Sequence, residues 1–162
     1  MCIRDRSNYI LTRVAAEGVS VKDALADAQR LGYAEADPTY DVEGFDTACK
    51  LVITSNYVLG TALSIKDVDI RGITKVTAED MADASSKGAT IKLIGSVGER
   101  AKVSPESVEL THPLNVSGTF NAICFDTHPS GEVTLVGKGA GGPETATSVV
   151  RDLIEIGRSF AR

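Results

Sequence analysis

The chain has 162 residues, enough for one ordinary domain with its own core, and 43% hydrophobic and 24% charged residues exclude a disordered chain. A formal net charge of -5, with no run of lysine or arginine to offset it, argues against a nucleic-acid or anionic-membrane surface. No apolar stretch approaches the roughly 20 residues of a membrane span.

The first six residues, MCIRDR, fit poorly with the rest of the chain and resemble a translated adapter or assembly scar. Residues 1–6 are therefore set aside, and the chain is expected to be a fragment with a segment missing upstream. From Ser7 the pattern is orderly. Ser7 or Asn8 can cap a helix carrying Tyr9, Ile10, Leu11 and Val14 and stopping at Gly18. Ser20 caps a second helix whose Val21, Ala24, Leu25 and Ala28 share one face until Gly32. An acidic loop comes next, and a third helix is expected from Glu43 or Gly44 to about Leu63. A short strand is read at 69–73, and Thr77 caps a helix through Met81 and Ala84 to Gly88. Residues 90–97 alternate as a half-buried strand, with Ile91, Leu93 and Gly95 on one face. Residues 103–110 contain Pro105 and suit an edge strand or a loop. Residues 120–126 and 132–136 read as strands joined by a turn at Pro129, Ser130 and Gly131. A glycine-rich loop, GKGAGG, opens a final helix over 143–158. Helices, then strands, then a helix predict an α+β fold with a mostly antiparallel sheet covered by helices on one face.

The stretch GYAEADPTYDVEGFDTACK, residues 32–50, concentrates Glu35, Asp37, Asp41, Glu43 and Asp46 ahead of Lys50. Five carboxylates so close together repel one another unless a cation is held among them. Three readings stand side by side. The first is a solvated acidic surface. The second is a divalent cation site on Asp41, Glu43 and Asp46, although the EF-hand spacing is absent. The third is an amino-acid site in which carboxylates hold an ammonium group and Lys50 works on a polar group nearby. Asp46 and Lys50 are four apart on one helix face and can pair, which fixes an ammonium group and favours its protonated form. The three cysteines, Cys2, Cys49 and Cys124, form neither a disulfide framework nor a CxxC zinc pattern. With no apolar secretory leader, the expected setting is the reducing cytoplasm. His112 and His128 each precede a proline without a ligand-spaced partner, so no metal centre is expected.

The same stretch resembles the signature of homoserine dehydrogenase. SNYILTR, GITKVTAEDMADA with TIKLIG, HPLNVSGTFNAI and GKGAGGPETATSVVRDLI also keep that family's order, so the resemblance runs from Ser7 to the end. It implies an enzyme interconverting L-homoserine and L-aspartate 4-semialdehyde with NADP or NAD, on the route to threonine and methionine. By resemblance, Lys50 is the acid/base residue, and Gly32, Glu35, Asp41 and Asp46 form the substrate site. Glu35 receives the substrate ammonium, and Asp46 binds substrate and orients Lys50. Asp37 shapes the turn with Pro38, and Glu43 stabilises a helix start. Gly139 and Gly141 abut the nicotinamide end of the cofactor. The resemblance divides the chain into a catalytic and dimerisation domain over 7–136 and a glycine loop with a returning helix over 137–162. That helix, carrying Val149, Val150, Leu153, Ile154 and Ile156, would pack on a Rossmann domain that this stretch does not contain. GKGAGG is not the Rossmann fingerprint itself. A homodimer is expected, and the fragment is expected to be inactive alone. The competing reading is a non-catalytic binding module for an amino acid or a divalent cation. A purely structural dimerisation domain is a third.

Overall fold

In the computed structural model, residues 5–31, 37–117, 120–138 and 142–160 are described. Helix α1 (Asp5–Glu17) is followed by α2 (Val21–Arg30), the one-turn α3 (Thr39–Val42) and α4 (Phe45–Thr54). After β1 (Val68–Ile70) come α5 (Ala78–Ser86), the strands β2 (Ala89–Val97) and β3 (Ala101–Glu109), then β4 (Phe120–Thr127), β5 (Gly131–Lys138) and α6 (Gly142–Phe160).

Local chemistry explains most boundaries. The Ser20 side chain accepts from the Asp23 N–H at the start of α2. Thr77 and Asp80 form a reciprocal capping box on α5. At α1 the expectation needs correcting. The helix begins at Asp5, and Ser7 and Asn8 lie inside it, 1% and 2% exposed. Their side chains serve tertiary bonds instead of a cap, Ser7 Oγ to the Asp41 carbonyl at 3.0 Å and Asn8 Nδ2 to the Val116 carbonyl at 3.1 Å. The third helix also stops earlier than periodicity suggests. Residues Ser55–Leu59 widen into a π-turn that closes at Gly60 (φ 68°). There the Asn56 side chain bonds both the N–H and the carbonyl of Leu63, holding the chain in a return loop instead of further helix.

The sheet is mixed but mostly antiparallel, as expected. One sheet has the order β1-β3-β2, with β2 and β3 antiparallel over nine pairs and β1 parallel to β3 over three; β4 and β5 form an antiparallel pair. Pro105 therefore sits in the central strand, opposite Leu93, not in a loop or edge strand. The placement is tolerable because β1 reaches only Val103, so beyond that point β3 has a ladder neighbour on one side alone. Ile10, Leu11, Val14, Ala48, Leu51, Ile73 and Leu93 form the core between the helices and one sheet face. A second, smaller cluster joins Ile94, Val108, Leu114 and Ala122. Among the described residues, no helix is long and apolar enough to cross a membrane.

Candidate active site

From residue 37 onward the acidic stretch folds as a turn and two helices around a tightly constrained corner. Asp37 accepts from the Thr39 N–H at 3.1 Å, and hydrogen bonds from Thr39 hold its carboxyl below the ordinary value. This is the turn-shaping part expected of it. Asp41, in α3, is 5% exposed, and its carbonyl receives the buried Ser7 hydroxyl. The corner itself depends on two glycines. Gly44 precedes α4 with φ 85°, where a side chain would be strained, and a Cβ there would stand 3.2 Å from Val103 Cγ1. A Cβ on Gly72 would stand 2.2 Å from the Val42 carbonyl oxygen, beside the bond from Ile73 N–H to that oxygen at 2.7 Å. The backbones at 42–43 and 72–73 touch, which fixes where α4 begins.

Helix α4 is oriented by its apolar face. Thr47, Ala48 and Leu51 are buried, and Thr47 and Leu51 pack over Gly95 of β2, where a Cβ would meet Thr47 Cγ2 at 3.3 Å. The other face presents Asp46 and Lys50, whose Nζ and Oδ2 lie 3.5 Å apart. Both side chains are partly exposed, at 37% for Lys50 and 23% for Asp46. A pair of this kind contributes only about 0.3–0.5 kcal/mol to stability, so its consequence is orientation of the ammonium group. Tyr40 and Phe45, both exposed, meet across the corner with ring centroids 5.8 Å apart.

The structure thus brings Asp41, Asp46 and Lys50 onto adjoining elements, α3 and α4, around one corner. Gly32 and Glu35 lie outside the described residues, as do Gly139 and Gly141 of the β5–α6 connection. Glu43 closes α3 through its N–H to the Thr39 carbonyl. Its side chain helps line a separate cleft of about 680 Å³ with Arg71, Lys75 and Glu106, which includes none of Asp41, Asp46 and Lys50. Among the described residues, no group of three or more His, Cys, Asp or Glu side chains is arranged to hold a metal ion. Among the described residues Cys49 and Cys124 form no disulfide, and Cys49 is exposed beside Lys50. Of the supporting residues, Gly44 lies in the acidic stretch itself, whereas Ser7, Asn8 and Gly72 are distant in sequence and no local spacing ties them to it.

Comparison with known proteins bears on the same residues. The family model for homoserine dehydrogenase matches residues 5–154. A homoserine dehydrogenase of Methanocaldococcus jannaschii is 46% identical over 151 residues, covering 93% of this chain and 45% of the relative. A crystal structure of S. aureus homoserine dehydrogenase superposes with a TM-score of 0.88 at 39% identity, covering 99% of this chain and 42% of that one. A hyperthermophilic archaeal homoserine dehydrogenase in complex with NADPH superposes with a TM-score of 0.78 at 30% identity, over 95% of this chain and 45% of that one. The chain spans about half the length of these relatives. With the model matched across almost its whole length, the chain belongs to the homoserine dehydrogenase family.

Proposed function

We propose that this chain is the substrate-binding and proton-transfer region of an enzyme that interconverts L-aspartate 4-semialdehyde and L-homoserine. The observation that carries the reading is the Asp46–Lys50 pair on the open face of α4, beside the corner that holds Asp41. Asp46 keeps the Lys50 ammonium in one direction, and Lys50 gives its proton to the aldehyde oxygen as that oxygen gains negative charge. In the reverse direction the neutral amine removes the proton from the homoserine hydroxyl. A bound nicotinamide cofactor, NADP or NAD, supplies or receives the hydride. The described residues on either side of the β5–α6 connection leave room for such a group. Gly137 and Gly142 flank it with open space where a Cβ would stand, so the strand end and the first turn of α6 offer bare backbone. Gly139 and Gly141 would make the closest approach, and Gly32, Glu35 and Asp41 would complete the acidic pocket for the substrate ammonium.

Two exposed faces support assembly with further structure. On α6, Val149, Val150, Leu153 and Ile154 form an apolar stripe, which would pack on a nucleotide-binding domain. Val133 and Leu135, which share one face of the β4–β5 pair, are exposed and would serve a homodimer. Cysteines that form no disulfide among the described residues suit a cytoplasmic setting.

The test is turnover of L-homoserine with NADP or NAD by the full-length enzyme that contains this chain. Lys50→Ala is expected to lower kcat by roughly 10²–10⁴, the usual contribution of a positioned proton donor, with an unchanged circular dichroism spectrum. Turnover within twofold of the parent would remove Lys50 from the chemistry.

A further inference from the structure

Lys92 stands apart from the acidic stretch and from every role given above. It lies in β2 between Ile91 and Leu93, a position that reads from sequence as a solvated strand face, yet it is 4% exposed. Its ammonium group reaches Asn8 Oδ1 at 2.5 Å and the Val116 carbonyl at 3.0 Å. The same Val116 carbonyl accepts from Asn8 Nδ2 at 3.1 Å, so three chain segments, residues 8, 92 and 116, close into one buried knot. The neighbouring residue on α1, Ser7, holds the Asp41 carbonyl at 3.0 Å. A continuous path therefore runs from Lys92 through the first turns of α1 to the corner that carries Asp41.

We infer that Lys92 is a positioning residue for the substrate pocket, acting through Asn8 and Ser7 on the placement of Asp41. The inference rests on the function proposed above for that pocket. Without the knot, the early part of α1 has lost its tie to β2 and to the Val116 segment, and the Ser7–Asp41 bond has no fixed base.

The chemistry of the knot also makes it responsive to pH. An ammonium group has three protons to donate, and two acceptors meet it among the described residues. A neutral amine serves two acceptors fully. Burial pushes the Lys92 ammonium down to about 8, and among the described residues no carboxylate opposes the change. Among the described residues, the charged groups on the elements packed against β2 are paired with one another or, like Glu79 on α5 and Glu109 on β3, exposed to solvent. Arg13 on α1 pairs with Glu17 and Asp27, Lys50 on α4 with Asp46, Asp83 on α5 with Lys87 just beyond the helix, and Glu106 on β3 with Lys102. The Asp80 carboxylate accepts from the Thr77 N–H, and His112 Nδ1 accepts from the Leu114 N–H. Because the folded value lies below that of the unfolded chain, the unfolded chain holds more protons between about pH 8 and 10.5. Stability is therefore expected to rise with pH across that window. Meanwhile the charge-assisted bond to Asn8 weakens to a neutral one.

The experiment has two arms. In the 162-residue chain, the Lys92 side-chain carbon resonance and the Ser7 and Val42 amide resonances are followed by NMR from pH 6.5 to 10. All three are expected to move with one midpoint near 8, and the amide changes are expected to vanish in Lys92→Met. In the full-length enzyme, KM for L-homoserine is expected to rise about fivefold through the same midpoint, as one charge-assisted bond becomes neutral. Lys92→Met should lose this pH limb and keep kcat. A Val42 amide that ignores the Lys92 titration overturns the inference, and so does an active enzyme whose KM is flat with pH in both forms. Coupled resonances in an enzyme that does not turn over homoserine would instead count against the proposed function, leaving the link from Lys92 to Asp41 in place.

Discussion

From α1 to β3 the chain buries Ile10, Val14, Ile73 and Leu93 almost completely, whereas β5 and α6 leave Leu135, Val149, Leu153 and Ile156 more than half exposed. The two regions are built from similar residue types in regular elements, so composition does not separate them. Partners do. In the first region every helix finds a sheet face or another helix, and the Asp41–Asp46–Lys50 corner rests on that closed packing. In the second, an apolar stripe runs along one side of a 19-residue helix whose described side chains are all exposed. The corner's geometry is thus set by the first region, and the second presents apolar surface that the described residues leave uncovered.

The largest expected effect that separates them is in the closed region. Leu93→Ala removes a side chain that is 2% exposed from the core under α4. It should cost about 2–5 kcal/mol in urea unfolding of the chain. A loss below about 1 kcal/mol would mean that the core is loosely packed. A smaller effect is expected in the open region. Leu153→Ser, on the exposed face of α6, should change the stability of the same chain by less than about 0.5 kcal/mol. In the full-length enzyme the same change should lower stability by about 1.5–3 kcal/mol, the cost of losing a buried leucine from an interface. Equal values in the two settings would contradict the assembly role of α6.

The difference between the regions also governs how much could be read in the sequence. Local signals survived well. Ser20 and Thr77 cap helices within four residues of themselves, and the alternation of Ile91, Leu93 and Gly95 names the face that meets α4. The acidic stretch announced the Asp46–Lys50 pair through simple helical spacing. Readings that depended on distant residues fared less well. Ser7 and Asn8 look like caps because serine and asparagine usually are, but segments 34 and 108 residues away claim their side chains. Pro105 looks like an edge marker, and only the shortness of β1 lets it stand in the middle strand. Lys92 is the clearest case, since a lysine between apolar strand residues normally faces water. Its burial depends on Asn8, far back in α1, and on Val116, which belongs to another segment.

The pairing of Asp46 with Lys50 is the centre of the account, and a double-mutant cycle on kcat in the full-length enzyme tests it most directly. If Asp46 acts on turnover by holding Lys50, then Asp46→Asn lowers kcat in the parent and lowers it no further once Lys50→Ala is in place. If the two losses multiply, the carboxylate and the ammonium act independently, and the pair seen on α4 is only a surface contact.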